Sequence, residues 1–185
     1  MLPDMKQILV ITAGGTIDKV YFDAKSDFEV GQSVVTELLA EAHVHTGYKV
    51  VEVMRKDSLD MTDADRALIR RTIYEELTQT SGASLAPRVI ITHGTDTMTD
   101  TAGELASLVG ELQATIVLTG ALSPARFARS DATFNVGMAF ATVQCASPGV
   151  YIVMNGQVFD GLNVVKNRAQ NRFEGAVVGG ETGSA

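Results

Sequence analysis

Short apolar runs recur along the chain, and longer segments with a single apolar stripe lie between most of them. The apolar runs are QILVITA (7–13), YKVVEVM (48–54), RVIITHG (88–94), ATIVLTG (114–120) and GVYIVMN (149–155). Nearly continuous apolar character is typical of strands in a parallel sheet that is covered on both faces. We therefore predict five buried strands.

The intervening segments have the apolar period of helices. They cover residues 33–44, 62–80, 97–112 and 130–143. The second begins at Thr62 and carries Asp63 and Asp65 in its first turn, where acidic side chains favour a helix start. Strand and helix in alternation predict an α/β fold: a doubly wound, mostly parallel sheet with helices on both faces.

Three segments depart from this alternation. Residues 18–32 form the longest irregular stretch, mostly polar but with Tyr21 and Phe22, and a loop of that length is typical of a lid or binding loop. The stretch GQVFDGLNVVKNR (156–168) predicts two extended pieces joined by a turn at Asp160-Gly161. The Gly-rich residues 176–185 predict a mobile tail.

Composition narrows the class of protein. The chain has 185 residues, of which 45% are hydrophobic and 20% are charged, and this predicts a single domain over residues 1–185. There is no apolar run of membrane-spanning length, no signal-peptide pattern and only one cysteine, Cys145, so we expect a cytoplasmic protein without a disulfide. The net charge of −7 and the lack of basic runs argue against binding to nucleic acid or a membrane.

Candidate chemistry collects after the predicted strands. Ligands of open α/β sheets bind at the carboxyl ends of the strands. Small or polar groups follow four of them: Gly14-Gly15-Thr16, DSLDMTD (57–63), HGTDTMTD (93–100) and GALSPARFARSD (120–131). Turn and cap chemistry explains any one of these loops, but four together favour a site.

Several common motifs are not present. The sequence has no dinucleotide-binding, P-loop or nucleophile-elbow pattern, and no histidine pair has metal-ligand spacing. We expect His43 and His45 at the surface of the first helix. Strand alternation is expected to turn His93 away from Thr95.

Longer segments carry a family resemblance. They are TAGGTID (12–18), DSLDMTD (57–63), VIITHGTDTMTDTA (89–102), VLTGALSPARFARSDATFNV (117–136) and VFDGLNVVKNRAQNRFEG (158–175). Together they resemble the bacterial-type L-asparaginases over nearly the whole chain. The resemblance implies the flavodoxin-like N-terminal domain of that family, in a short form without the usual C-terminal domain.

The implied activity is hydrolysis of L-asparagine to L-aspartate and ammonia, with no cofactor and no metal. By position, Thr16 is the nucleophile that forms a covalent acyl-enzyme, and Tyr21, Thr95, Asp96 and Lys166 are the other catalytic residues. The implied substrate-binding residues are Gly15, Ser58, Leu59, Gly94, Thr95, Asp96 and Ala121. Family sites form at subunit interfaces, so the resemblance also implies a homodimer or homotetramer.

The residues themselves are consistent with such chemistry. A threonine hydroxyl needs a neighbouring base, and either Tyr21 or a Lys166 of lowered pKa is a candidate. Backbone N–H groups of Gly15 and Thr95 are candidate oxyanion donors. Asp96 is complementary to the substrate ammonium group.

One departure and two alternatives stay open. Leu59 stands where many relatives have glutamine, which removes a possible hydrogen bond to the substrate. The first alternative is an amidase or amidotransferase subunit that acts on a protein- or tRNA-linked amide. The second is a non-catalytic amino-acid-binding module.

Overall fold

The computed structural model describes residues 7–23, 26–79 and 86–176. The last nine residues of the chain, which are most of the predicted tail, lie outside that range. The described strands are β1 (Ile8–Gly14), β2 (Lys19–Phe22), β3 (Asp27–Val30), β4 (Tyr48–Lys56), β5 (Arg88–Thr92), β6 (Thr115–Thr119), β7 (Gly149–Met154), β8 (Gln157–Asp160), β9 (Val164–Asn167) and β10 (Arg172–Gly175). The described α-helices are α1 (Val35–Glu41), α2 (Asp63–Gln79), α3 (Met98–Leu112) and α4 (Ala132–Cys145).

The central sheet has six strands in the order β4-β1-β5-β6-β7-β8. Every neighbouring pair is parallel except β7 and β8. The five parallel strands therefore follow the 2-1-3-4-5 order of flavodoxin-like folds. The predicted fold class is confirmed.

Helices cover both faces of this sheet. On one face, α2 and α3 bury Ile69, Ile73, Leu105 and Leu108 against alternate strand residues. On the other face, α1 and α4 do the same, with Phe140 among their buried side chains. Only β4 departs from the predicted full burial, because it is an edge strand with exposed residues along its length.

The register of the strands places the ends of β1, β5 and β6 side by side at one edge of the sheet. Thr12 of β1 is paired with Thr92 of β5, which is paired in turn with Thr119 of β6. The segments that begin at Ala13, His93 and Gly120 therefore leave the sheet side by side. The predicted carboxyl-end site lies at this edge.

The segment 18–32 is not irregular as predicted. Its described residues form an antiparallel hairpin of β2 and β3, with Tyr21 opposite Phe28. The root of the hairpin is closed by a hydrogen bond from Gly31 N–H to the Asp18 carbonyl oxygen at 2.9 Å. Short strands of mixed polarity are difficult to distinguish from loops, because they have too few alternating positions.

The two extended pieces predicted on either side of a turn at Asp160-Gly161 are present as β8 and β9, but they do not pair with each other. β8 instead folds back on β7 through Asn155-Gly156, where φ is 55° and 74°. Positive φ at both central residues is the geometry of the tight turn that suits a hairpin. The chain then continues from Gly161 into a separate two-stranded ribbon of β9 and β10.

His43 and His45 are exposed, as predicted, but they do not lie on a helix. α1 ends at Glu41, and His43 has a positive φ of 49° that cannot continue a helix. Within the described part of the chain, no helix combines the length and the apolar character that crossing a membrane requires.

Candidate active site

Two glycines bring the first and third strand ends into direct backbone contact. A Cβ added to Gly15 would lie 2.3 Å from Gly94 N and 2.4 Å from Gly94 Cα, and Gly15 has a φ of +90°. No other residue fits there, since the space is filled by backbone and the conformation is one that side chains disfavour. Thr16 and Thr95, which follow these glycines, therefore start from adjoining backbone positions.

The second strand end reaches the same place. A Cβ on Gly94 would lie 2.5 Å from Ser58 Oγ, so the serine side chain packs on the Gly94 backbone. The Thr97 hydroxyl donates to the Ser58 carbonyl oxygen at 2.8 Å and fixes the segment from the other side. Ser58 is 1% exposed, and its Oγ has no hydrogen-bond partner among the residues that the structure describes.

Lys166 connects the far end of the chain to the HGTD loop. Its Nζ donates to Thr95 Oγ1 at 2.6 Å and to Asp96 Oδ1 at 2.8 Å, and its side chain is 8% exposed. Val164, two residues earlier on β9, and Phe173, opposite Lys166 on β10, are both buried in the core. These apolar anchors hold the ribbon so that the lysine points at Thr95.

Asp96 has a second cation near it. Arg168 Nη2 is 3.5 Å from the Asp96 carbonyl oxygen, and its Nε is 3.8 Å from Oδ1. Arg168 is mostly exposed, so this charge is well screened by solvent. Sequence reasoning did not find Arg168, although it lies two residues after Lys166 on the same ribbon.

His93 supports the loop from behind the site. A carbonyl oxygen only accepts, so His93 Nδ1 carries the proton that it donates to Gly94 O at 2.6 Å. Nε2 then accepts from the Thr101 hydroxyl at 2.8 Å. Burial, with the charge of Arg66, lowers the pKa of His93 to about 4, against the hydrogen bond to Gly94, so the ring is neutral at pH 7. The ring contacts Thr101 of α3 and not Thr95, as expected, but strand alternation is not the reason, because residues two apart share a face and β5 ends at Thr92.

The structure does not bring every predicted residue together. Tyr21 lies on the β2–β3 hairpin, is 55% exposed, and forms no hydrogen bond with Thr16. Leu59 is also exposed and faces the open groove beside the hairpin. Ala121 is buried directly after β6, where it packs with the core of the α1 and α4 face.

The predicted oxyanion role of Gly15 is wrong. Its N–H donates to the Lys56 carbonyl oxygen at 2.9 Å and so belongs to the pairing of β1 with the end of β4. Thr95 N–H, by contrast, has no hydrogen-bond partner within the described ranges. Thr95 therefore keeps the donor that the prediction assigned to it.

Two carboxylates, a half-buried one and a buried one, shape the loops around the site, and sequence reasoning did not single them out. Asp131 accepts from the N–H groups of Leu122 and Ser123 at 3.0 to 3.1 Å. Asp18 is 1% exposed and accepts from Val34 N–H at 2.9 Å. Burial raises the pKa of Asp18, partly offset by that hydrogen bond. For Asp131 the available signal was its position directly before the helix at 132–145, whereas Asp18 is far in sequence from the group that it binds.

Residues 7–23, 26–79 and 86–176 contain no group of three or more His, Cys, Asp or Glu side chains placed to hold a metal ion. What this edge of the sheet does hold is a set of hydroxyl groups, an amine and a carboxylate. A comparison with known protein families identifies the arrangement, because the N-terminal asparaginase domain matches residues 7–175. The chain belongs to the asparaginase family.

The curated proteins similar to this chain include L-asparaginases and an amidotransferase component. L-asparaginase 2 of Escherichia coli is 31% identical over 169 residues, which are 88% of this chain and 47% of that protein. A glutamyl-tRNA(Gln) amidotransferase component of Methanococcus vannielii is 29% identical over 169 residues, 85% of this chain and 36% of that protein. The chain spans about half the length of the curated L-asparaginases it matches.

Solved structures of the family have the same fold. L-asparaginase I from Vibrio cholerae superposes with a TM-score of 0.71 at 27% identity, over 92% of this chain and 52% of that one. The asparaginase-type sheet and its strand-end loops are therefore shared. In this chain those loops combine two adjacent threonines, a lysine that contacts one of them, and an unpaired serine hydroxyl.

Proposed function

We propose that this site hydrolyses the side-chain amide of L-asparagine to L-aspartate and ammonia. The observation that carries the proposal is the contact of Lys166 Nζ with Thr95 Oγ1 at 2.6 Å and with Asp96 at 2.8 Å. A surface lysine would have no reason to be buried against a hydroxyl and a carboxylate. The contact between Gly15 and Gly94 adds Thr16 to this group.

In the proposed reaction, Thr16 Oγ attacks the amide carbon and loses its proton to a base. Tyr21 and the Thr95–Lys166 pair are the two candidates for that base. The carbonyl oxygen becomes an oxyanion that accepts from Thr95 N–H. The C–N bond then breaks, the nitrogen takes up a proton and leaves as ammonia, and an ester on Thr16 remains.

A water molecule completes the cycle. It attacks the ester carbon while the Thr95–Lys166 pair accepts one of its protons. The bond to Thr16 Oγ breaks, Thr16 regains its proton, and aspartate leaves. Two different hydroxyls thus divide the work, with Thr16 as nucleophile and Thr95 as proton relay.

The substrate's charged groups have complementary partners. Asp96 is the proposed contact for the α-ammonium group, and Ser58 Oγ is the proposed donor to the α-carboxylate. Ser58 supports this assignment because its buried hydroxyl has no partner in the described part of the chain, which costs stability unless a ligand supplies one. Gly94, Ala121 and Leu59 are proposed to line the same pocket.

The test is ammonia release from L-asparagine by the purified chain. Thr16→Ala, Thr95→Val and Lys166→Met are each expected to lose roughly 10³-fold or more in kcat, since grouped catalytic residues act as a unit. Thr142→Val on α4 is the matched control, because the hydroxyl of this half-buried threonine donates to Met138 O of its own helix at 2.9 Å. A parent protein that releases no ammonia, or a Thr16→Ala variant with full activity, contradicts the proposal.

Selectivity follows from the same geometry. We expect higher kcat/KM for asparagine than for glutamine, because one extra methylene shifts the amide carbon away from Thr16 by about 1.5 Å and misplacement on this scale costs much rate. Equal kcat/KM for the two amino acids contradicts this expectation. Cytoplasmic location and a homodimer or homotetramer stay predictions.

A linked-amide substrate is the second candidate. The similarity to an amidotransferase component favours it, at an identity close to that of the L-asparaginase. Release of ammonia from a peptide or tRNA-linked amide, but not from free asparagine, would support it. A calorimetric signal for asparagine binding without turnover would instead support the binding module.

A further inference from the structure

Three exposed aromatic rings form a row of edge-to-face contacts between the β2–β3 hairpin and the 120–131 loop. Tyr21 and Phe28 lie on the β2–β3 hairpin, with ring centroids 5.4 Å apart at an interplanar angle of 64°. Phe28 in turn meets Phe127 of the 120–131 loop at 5.9 Å and 63°. Edge-to-face geometry at these distances is the favourable arrangement for aromatic pairs.

The loop that carries Phe127 is built as a rigid platform. Its ends are held together by Asp131, which accepts from two loop N–H groups, and by Ser130 Oγ, which donates to the Ser123 carbonyl oxygen at 2.9 Å. Phe127 N–H closes an inner turn with Pro124 O at 3.0 Å. These hydrogen bonds constrain the backbone position from which the Phe127 side chain extends.

The same loop also contacts the turn that carries the nucleophile. Ala125 N–H donates to the Ile17 carbonyl oxygen at 3.0 Å, one residue after Thr16. One loop therefore contacts the Thr16 turn with its backbone and the Tyr21 hairpin with a ring. It thereby joins the turn after Thr16 to the hairpin that carries Tyr21.

The hairpin is held differently at its two ends. Its root is fixed by the Asp18 hydrogen bonds and by the ion pair of Lys19 with Asp57 at 2.8 Å. Further out, the contact of Phe28 with Phe127 joins the hairpin to the 120–131 loop. Removal of the Phe127 ring leaves the root contacts in place and takes this outer contact away.

We propose that Phe127 is a positioning residue that holds the β2–β3 hairpin against the 120–131 loop and so restricts where Tyr21 lies relative to Thr16. It acts through Phe28 and touches neither the substrate nor Thr16. This inference rests on the proposed function only for its catalytic consequence. The mechanical part, that Phe127 immobilises the hairpin, holds independently of the substrate.

The first experiment is hydrogen exchange of the 19–30 segment, measured by mass spectrometry on the whole chain without substrate. Phe127→Ala is expected to speed exchange there by roughly 2- to 12-fold, the range that corresponds to one aromatic pair. Phe127→Tyr keeps the ring and is expected to restore protection, whereas Phe127→Leu is not. Phe134→Ala, which removes a similarly exposed ring from α4, is the control. Unchanged exchange in Phe127→Ala overturns the proposal.

The second experiment is a double-mutant cycle on ammonia release. Phe127→Ala is expected to lower kcat by roughly 2- to 12-fold with a smaller change in KM, and to cost nothing more in a Tyr21→Phe background. Additive losses overturn the claim that Phe127 acts through Tyr21. If the parent releases no ammonia, the proposed function fails, while the exchange experiment still decides whether Phe127 holds the hairpin.

Discussion

The neutral buried histidine makes a sharp prediction about acid stability. His93 supports the Gly94 turn only while Nε2 can accept from Thr101, and protonation removes that lone pair. It also places a charge in a site that is 0% exposed. Acid is therefore expected to weaken the fold at the point where the site is assembled.

The magnitude follows from linkage. The folded pKa of about 4 is below the ordinary value of 6.5, so the unfolded chain binds more protons between these two pH values. The free energy of unfolding then falls as the pH is lowered from 6.5 towards 4. A shift of this size corresponds to about 3 kcal/mol at about 1.4 kcal/mol for each unit of pH.

The assay compares the parent with His93→Gln in urea unfolding at several pH values. Gln is neutral throughout, so the difference between the two proteins isolates the histidine from the carboxylates, which titrate in both. At pH 7 the parent is expected to be the more stable, because Gln reproduces only part of the hydrogen bonding. That advantage is expected to shrink by about 3 kcal/mol on going to pH 4. Parallel stability curves would refute a histidine that is neutral in the fold.

Three further predictions concern the frame of the site. Gly15→Ala is expected to lower the free energy of unfolding in urea by about 3 kcal/mol or more, since the new Cβ would lie 2.3 Å from the Gly94 backbone. Gly47→Ala, which has open space around it, is expected to change it by no more than about 0.5 kcal/mol, and equal losses in the two variants would contradict the contact. Asp131→Ala is expected to cost about 2 kcal/mol in the same assay, because two loop N–H groups lose their acceptor; no change would show that solvent replaces it. Asp18→Asn is expected to raise the denaturation midpoint at pH 7, because the raised pKa of Asp18 means that its buried charge is unfavourable. The gain should vanish as the pH falls to the range where Asp18 itself is protonated, and a gain that persists in acid would contradict this reasoning.

The main sheet could be predicted because its strands are buried on both faces. Runs such as RVIITHG leave no doubt about burial, and the rule for strand carboxyl ends then places the loops after β1, β4, β5 and β6 at one edge. Gly15, Ser58 and Gly94 lie close together, as that rule predicts. Lys166 was different, since only the family resemblance lifted it above an ordinary surface lysine.

The parts that could not be predicted depend on partners that a sequence does not name. The extended character of 157–160 was visible, but its pairing with β7 is set by the tight turn at Asn155-Gly156. The oxyanion assignment failed for Gly15 because its N–H is bonded to a neighbouring strand. The sequence does not show whether a given backbone N–H is free or bonded in this way. Each of these depends on tertiary hydrogen bonding that local patterns do not contain.

The contact of Gly15 with Gly94 explains why the site tolerates no side chain at either position. If the two threonines were brought together by side-chain packing, their spacing would vary with every rotamer change in the surrounding layer. Here the spacing is set by backbone touching backbone, with Ser58 packed on the second glycine. The proposed reaction needs two hydroxyls at one carbon, and misplacement of about 1 Å costs much rate. Main-chain contact between the segments that directly follow β1 and β5 fixes the backbone from which both hydroxyls would start.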